Sequence, residues 1–248
     1  PPEFFENIEK KLTPAKLGYW AYAIDGDGTF SFQGMGPSSN CVAIYLKDRE
    51  PIQELADIYG TSISRIEFLT ESWAPVYITR LYGKRAIHFL RLICPYMTEK
   101  RKKATECINI SDPNYHPPKI SMNFRKNPDL LYPHMGMVAG FFDTEGSVGM
   151  ILAHRKRQTK KFGERVNTSL KPWLDFSNTD IRPLRKLKKI LETWPFAFKP
   201  KLRSDTRKEL LKNGKNRKIL HRLTIPISQH ILFMKMFSPW ILITRKRD

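Results

Sequence analysis

The sequence predicts an α+β protein in which one plan, helix–strand–strand–helix–strand–strand–helix (αββαββα), occurs twice. Similar helix-forming segments at 17–28 and 135–146 each end in an acidic residue followed by glycine. A second pair of similar blocks, 45–55 and 177–187, follows the first. A proline-rich stretch between the copies disfavours helix and favours an extended connection. We therefore expect an N-terminal half at 1–111, a linker at 112–132 and a C-terminal half at 133–248.

The first pair of segments reads as two equivalent helices. Thr13 and Pro14 predict the start of one, as N-cap and first helical residue, and Pro133 predicts the start of the other. At an offset of 118 residues the small and acidic positions coincide: Gly18 on Gly136, Ala21 on Ala139, Asp25 on Asp143 and Asp27 on Glu145. Chance seldom aligns that many small and acidic residues, which indicates an internal repeat.

Strand patterns follow each of these helices. Residues 29–33 alternate polar and aromatic side chains, as a half-buried strand does, and 147–151 is the weaker counterpart. The second pair of blocks matches at an offset of 132, so the second half carries an insertion, 155–165, in which six of eleven residues are basic. Strands are predicted at 76–81 and 219–225, and closing helices at 84–96 and 228–240.

The charge of the chain predicts a polyanionic partner. The formal net charge is +19, of which residues 134–248 carry +17. Phosphate neutralisation dominates the binding of such proteins to nucleic acid, although an unspecific basic surface is the alternative. No apolar run approaches the ~18–20 residues of a membrane helix, and three cysteines without a CxxC pair argue against a disulfide scaffold or a thiolate zinc site. We expect an intracellular protein that does not bind membranes.

The two acids at the helix ends predict a metal site. Asp27 and Glu145 face the negative end of the helix macrodipole, which costs roughly 0.3–1 kcal/mol each. Small residues in both helices would let them pack closely and bring these acids together, and two adjacent carboxylates repel unless cations lie between them. Carboxylates are hard oxygen ligands for Mg²⁺, and such ions assist phosphodiester hydrolysis. For either copy alone, an ordinary helix stop with a glycine cap would be the preferred interpretation.

A calcium-binding loop and a structural contact are other roles for the acids near these helix ends. An EF-hand at residues 25–28 fails because that loop needs glycine at its sixth position and glutamate at its twelfth, where this chain has Phe30 and Gly36. Asp25 and Asp143 lie near the helix ends, and for them a capping or interhelical role is as compatible with the pattern as metal binding.

The blocks Trp20–Gly28 and Val138–Gly146 resemble the two signature motifs of LAGLIDADG homing endonucleases. Through the repeated strand–helix plan, nearly the whole chain resembles the single-chain, two-motif members of that family. In the first motif Trp20 replaces the leading leucine and Tyr22 the glycine, and Gly140 opposite is expected to accommodate the larger side chain. The resemblance implies two four-stranded antiparallel sheets that form a saddle over duplex DNA, with the motif helices packed at the interface.

The resemblance also implies the chemistry. Asp27 and Glu145 would each bind Mg²⁺ for one DNA strand, with the carbonyl groups of Gly26 and Thr144 as further ligands. The product would be a double-strand break with short 3′ overhangs, and Ca²⁺ would bind without supporting cleavage. Lys84 matches a lysine often found near the site, although a phosphate-contacting or solvated lysine is an equal alternative, and Asn178 matches a Gln-type residue.

Under the same resemblance, strand residues of the uncovered sheet faces would contact DNA in the major groove. Candidates for base contacts are Ser31, Gln33, Arg65, Arg80, Lys199, Lys201, Arg203 and Arg222. Candidates for phosphate contacts, which position a protein without carrying sequence information, are Arg155, Arg157, Lys160, Lys161, Lys215 and Arg217.

The function most compatible with these observations is a site-specific, Mg²⁺-dependent double-strand DNA endonuclease that acts as a monomer in intron homing. An intron maturase that binds structured RNA on the same scaffold is one alternative, and a non-cleaving DNA-binding protein is another. Retention of both acids favours cleavage, because RNA binding does not need carboxylates at helix ends. In a eukaryote we expect a mitochondrial or plastid location, and otherwise a cytoplasmic one.

Overall fold

The fold is that of a computed structural model, which describes residues 2–32, 40–67, 75–159, 163–205, 219–243 and 246. Within these ranges the side chains of 2, 27, 30–32, 40, 154–159 and 163–167 are left undescribed. The helices are α1 (Pro2–Lys11), α2 (Pro14–Asp27), α3 (Arg49–Tyr59), α4 (Gly83–Ile93), α5 (Arg101–Asn109), α6 (Leu131–Glu145), α7 (Ile181–Glu192) and α8 (His230–Phe237). The strands are β1 (Gly28–Phe32), β2 (Asn40–Leu46), β3 (Ile63–Ile66), β4 (Val76–Tyr82), β5 (Gly146–Thr159), β6 (Gly163–Asn178), β7 (Lys201–Asp205) and β8 (Leu220–Thr224).

The two halves repeat one topology. Four strands form an antiparallel sheet in the order β1-β2-β4-β3 in the first half and β5-β6-β8-β7 in the second. The predicted α+β class with two four-stranded antiparallel sheets is therefore confirmed. Two helices, α1 and α5, were not predicted; α1 packs against α4, where His88 Nε2 lies 3.0 Å from Glu9 Oε1.

Local sequence signals explain where several helices begin and end. Thr13 caps α2 by accepting a hydrogen bond from Lys16 N (3.5 Å), and Pro14 follows as the first helical residue. Asp180 caps α7 in the same way, accepting from Arg182 N at 2.8 Å. Gly60 ends α3 in the left-handed region (φ 59°), where a residue without a Cβ is favoured.

One face of each sheet is covered by helices, and in the second sheet the opposite face is open. In β6 and β8 the side chains of Leu174, Phe176 and Leu223 are fully buried and face the helices. Because successive strand residues point to opposite faces, Asp175 and Arg222 lie on the open face. The apolar core is continuous from the first half to the second through the motif helices α2 and α6. None of the helices in the described ranges is both long and apolar enough to cross a membrane.

Candidate active site and nucleic-acid interface

The motif helices α2 and α6 cross in backbone contact at three glycines. A Cβ added to Gly136 would lie 1.7 Å from the carbonyl oxygen of Ala15, and one on Gly18 would lie 1.8 Å from that of Pro133. A Cβ on Gly140 would lie 2.2 Å from the carbonyl oxygen of Tyr19. These distances are far below van der Waals contact, so only glycine allows this crossing.

Tyr22, which stands where the motif has glycine, does not widen the crossing. Its side chain is fully buried, and its ring makes an edge contact with Phe141 of α6 at a centroid distance of 5.5 Å. Its hydroxyl lies 3.2 Å from Thr98 Oγ1. The larger side chain thus packs beside the helix pair and ties α2 to the segment that follows α4.

The C-terminal ends of the two motif helices lie side by side. Asp27 is the last residue of α2 and Glu145 the last of α6. A Cβ on Gly26 would meet Thr144 Oγ1 at 2.8 Å and Glu145 Oε1 at 3.4 Å. The carboxylate of Glu145 therefore lies next to the end of the opposite helix. The side chain of Asp27 is outside the described part of the structure, so only its backbone position enters this geometry.

Each helix end receives a lysine ammonium group. Lys100 Nζ donates hydrogen bonds to the carbonyl oxygens of residues 24, 26 and 28, at 2.7, 3.0 and 2.7 Å. Lys246 Nζ does the same to the carbonyl oxygens of residues 142, 143 and 146, at 2.8, 2.6 and 2.9 Å. A positive charge at a helix C-terminus is stabilised by the macrodipole and satisfies carbonyl groups that have no partner within the helix. The carbonyl of Gly26, a predicted metal ligand, is one of these acceptors.

Sequence reasoning missed both lysines. Their spacing along the chain is 146 residues, whereas the motif helices repeat at 118, so no common register connects them. They lie outside the motifs, and Lys246 lies almost at the chain end. The only signal in the sequence was general, namely that C-terminal helix ends attract cations.

The inner acids Asp25 and Asp143 are structural anchors for the segments that carry these lysines. Asp25 is 1% exposed and its carboxylate accepts from Thr98 N at 2.5 Å and from Lys100 N at 2.9 Å. Asp143 accepts from Tyr19 Oη (2.7 Å) and from the backbone N–H groups of residues 242 and 243 (2.9 and 3.2 Å). Burial raises the pKa of both carboxyls, and these hydrogen bonds oppose the rise. The sequence left open a structural role, by capping or between helices, and metal binding, and these contacts support the structural one.

The first half contributes to the end of α6. Leu46, the last residue of β2, and the following Lys47 and Asp48 line a cleft of ≈ 380 Å³ together with Thr144 and Lys246. The loop that ends one sheet thus lies beside the motif helix of the other half. The acidic end of α6 is therefore built from both copies of the repeat.

Lys84 is not brought to the helix ends, and the sheet register shows why. Gly28 pairs with Ile44, which pairs with Thr79 of β4. From Thr79, β4 runs three residues further to Tyr82, which moves the chain about 10 Å from that level at ~3.3 Å per residue. Lys84 follows on α4, exposed and away from the acids. Lys100, which comes after the return of α4, occupies the expected place.

Asn178 lies at the correct end of its sheet. It is the last residue of β6, two residues beyond Phe176, which pairs with Gly146 at the start of β5. Its Oδ1 accepts a hydrogen bond from Asp180 N at 2.7 Å, which shapes the turn into α7. Its role in the site stays a prediction.

The predicted DNA-contacting residues divide between the two faces of the sheets. By strand alternation Arg80 lies on the face of the first sheet opposite the helices, and Lys201, Arg203 and Arg222 lie on the open face of the second. Arg65 does not, because it pairs with Tyr77 on the helix-covered side at the sheet edge, and it forms an ion pair with Glu67 (3.2 Å). Lys199 is exposed just before β7.

Other predictions fall on parts of the chain that the structure does not describe. Gln33, Lys160, Lys161, Lys215 and Arg217 lie outside the described residues. For Ser31, Arg155 and Arg157 only the backbone is described, and it lies in β1 and β5.

The groups at the helix ends fit a hard divalent cation. They are carboxylate and main-chain oxygens, the ligands that Mg²⁺ prefers, and the carbonyl oxygens at both ends already attract ammonium groups. Among the described side chains, which exclude that of Asp27, no group of three or more His, Cys, Asp or Glu is placed to hold a metal. A metal site here would therefore depend on one carboxylate per helix together with backbone oxygens.

The chain is similar in fold to solved structures of LAGLIDADG proteins. The LAGLIDADG meganuclease I-AabMI, bound to uncleaved DNA, is 12% identical in sequence and superimposes with a TM-score of 0.51 over 93% of this chain and 86% of that chain. Meganuclease I-SmaMI, bound to uncleaveable DNA, is 15% identical over 96% and 87% of the two chains with a TM-score of 0.47. The LAGLIDADG homing endonuclease I-LtrWI, bound to its target DNA, is 12% identical over 97% and 87% with a TM-score of 0.46. No protein-family model and no curated protein sequence matches the chain. At these identities the likeness concerns the fold.

Proposed function

We propose that this protein, which has the LAGLIDADG meganuclease fold, is a site-specific endonuclease that cuts both strands of a duplex DNA target. One observation carries the proposal. The two motif helices end side by side in acidic residues, Asp27 and Glu145, each directly before the first strand of a sheet, and stability alone does not favour acids at that end of a helix. The neighbour I-AabMI, a meganuclease solved with DNA, supports it.

The acids would hold the metal. Asp27 and Glu145, with the carbonyl groups of Gly26 and Thr144, supply oxygen ligands for a divalent cation at each helix end. Mg²⁺ bound there would activate water and stabilise the leaving oxygen of the phosphodiester. Two such ends, one for each DNA strand, would give a double-strand break, for which we propose short 3′ overhangs.

The lysines adjust the charge of the site. Lys100 and Lys246 place an ammonium group within hydrogen-bond distance of the helix-end carbonyls. Each group opposes the negative potential that the carboxylate and the macrodipole create, and it favours the approach of a phosphate. Asp25 and Asp143 hold the segments that carry these lysines.

The sheet faces opposite the helices would bind the duplex. Arg80 lies on that face of the first sheet, and Lys201, Arg203 and Arg222 lie on that of the second. Two neighbouring strands of such a sheet can enter the major groove, where base edges are distinguishable. Since one chain carries both acidic ends and both sheets, a single copy suffices, and we propose that the protein acts as a monomer.

Mapped cleavage tests this function. The protein and Mg²⁺ would be incubated with sheared genomic DNA that carries uninterrupted alleles, and the new ends sequenced. The double variant Asp27→Asn with Glu145→Gln would be run beside a control of equal charge change, Asp57→Asn with Glu192→Gln, whose residues lie on the exposed faces of α3 and α7.

Paired ends at one or a few loci, present with the control and absent with the double variant, would support the proposal. Ends that survive loss of both acids would refute the site. If no ends appear, binding to a structured intron RNA would show that the maturase alternative is correct.

A further inference from the structure

The most basic half of the protein carries a buried acid on its open face. Asp175, in β6, is 7% exposed, although it is on the face opposite the helices. Its Oδ2 lies 3.3 Å from Nε of Arg222, whose side chain is 56% exposed. Burial raises the pKa of this carboxyl, and the neighbouring guanidinium lowers it. Burying a carboxylate costs free energy, so a face that served only to attract phosphate would not be expected to contain one.

The surroundings of the pair form a shaped cleft. Its volume is ≈ 540 Å³, and Ser147 and Trp173 line it together with Asp175 and Arg222. Trp173 Nε1 donates a hydrogen bond to Ser147 Oγ at 3.1 Å, which holds the indole at one wall. The cleft therefore combines fixed polar groups with an apolar wall.

The carboxylate disfavours a phosphate as the partner of Arg222. A phosphate at the guanidinium would also lie near the anionic Asp175, and like charges at short range repel. A neutral acceptor does not suffer this repulsion. The pair carries no net charge, so it adds little to the salt-dependent attraction that phosphate contacts supply.

The position of Arg222 also favours a base contact. It lies on β8, an inner strand, directly opposite Ser177 of β6 and Arg203 of β7. Two arginines opposite each other across strands destabilise a sheet unless a partner compensates. An arginine anchored at Nε keeps its two terminal nitrogens for another partner, and two parallel donors match O6 and N7 of guanine in the major groove.

We propose that Arg222 is a specificity-determining residue that binds one guanine of the DNA target, and that Asp175 is a positioning residue that orients its guanidinium. This inference rests on the proposed function, because it requires that the open face of the second sheet contact duplex DNA. It predicts that the target contains a guanine whose replacement is poorly tolerated.

The test is a binding selection on randomised duplex DNA in Ca²⁺ with the full chain, followed by sequencing and by affinity measurements at several salt concentrations. The variants are Arg222→Lys, which keeps the charge and loses the paired donors, and Asp175→Asn, which keeps the shape and loses the charge. Lys189→Gln, on the exposed side of α7, is the control.

The wild type and the control should share a guanine preference at one position. Arg222→Lys should weaken that preference roughly 5- to 150-fold and leave the other positions unchanged. Asp175→Asn should weaken the same preference yet raise affinity for arbitrary duplexes at low salt, with a salt dependence steeper by about one phosphate contact. A merely structural role of Asp175 would instead lower binding to all sequences alike.

Equal weakening of all sequences by Arg222→Lys, or a guanine preference that survives in both variants, would overturn the inference while leaving the proposed function intact. A folded wild-type protein that binds no duplex DNA would overturn both. Thermal unfolding of each variant identifies loss of folding, and Arg222→Lys, at an exposed position, decides the outcome if Asp175→Asn fails to fold.

Discussion

Replacing Gly136 by alanine has two opposing effects: it raises the helix propensity of α6, and it introduces a steric clash at the crossing of α2 and α6. In an unconstrained helix interior this change stabilises by about 1 kcal/mol. Here the new Cβ would lie 1.7 Å from the carbonyl oxygen of Ala15 and 2.8 Å from the backbone nitrogen of Tyr19. Both are backbone atoms, so no side chain can rotate away. The helices must move apart by about 1.3 Å before the first contact reaches 3.0 Å.

The expected net effect is destabilising. Overpacking of this kind costs about 1–3 kcal/mol, and contact with backbone at both atoms favours the upper end, so about 2 kcal/mol remains after the propensity gain. For a protein of this size that corresponds to a fall in Tm of roughly 4–8 °C. A displacement of about 1 Å between the two acidic ends should also lower cleavage about 10²-fold.

Thermal unfolding by circular dichroism and cleavage of a mapped target measure the two effects. Gly60→Ala is the control: Gly60 has φ +59° with no atom within 4 Å of an added Cβ, so it should lose about 1–2 kcal/mol of stability from backbone strain and keep full cleavage. A Gly136→Ala protein as stable as the wild type, or more stable, would refute the close crossing of α2 and α6.

Three further predictions concern the second motif helix and the lysine at its C-terminal end. His134 is 1% exposed, and burial lowers its pKa to about 4. Because the unfolded chain takes up the proton near pH 6.5, the free energy of unfolding should fall by about 3 kcal/mol as the pH drops from 6.5 to 4. Urea unfolding of the His134→Gln variant should not show this loss. Asp143→Asn weakens the charge-assisted hydrogen bonds from Tyr19 and from residues 242 and 243. The free energy of unfolding should therefore drop by about 3 kcal/mol. An unchanged free energy of unfolding would contradict the anchoring role. Lys246→Met should leave Lys100 and its helix end intact, so one DNA strand should be cut about 10²-fold more slowly than the other. A supercoiled plasmid that carries the target should then accumulate as a nicked circle. Equal slowing of both strands would count against separate sites.

Some features of the site could be predicted because they are local in sequence. Gly18 and Gly136 indicate a close helix crossing, since the absence of a Cβ allows another backbone to approach closely in any context. Asp27 and Glu145 stand out because the C-terminal end of a helix is negative whatever surrounds it, which disfavours acids there. The repeat then implied that the two ends have equivalent positions, and the strand alternation implied which side chains share a face.

Other features depend on residues that are distant in sequence. Lys84 resembled a site lysine by its place in the chain, but the antiparallel register of β2 and β4 carries it away from the helix ends. Lys100 reaches them because Asp25 binds the backbone at residues 98 and 100. Nothing in the sequence near Asp175 indicates that its carboxylate pairs with Arg222, 47 positions later.

The sequence by itself thus determined the repeated plan, the helices that end in acids and the basic character of the second half, because each follows from periodicity, helix polarity or composition. Tertiary structure alone decided which lysines lie on the helix ends, which acids anchor rather than face the site, and that Arg65 and Arg80 lie on opposite faces of one sheet. The physical reason is that many pairings between residues distant in sequence cost similar chain entropy to form. Strand register and the helix crossing select among these pairings, and both depend on the packing of the whole core.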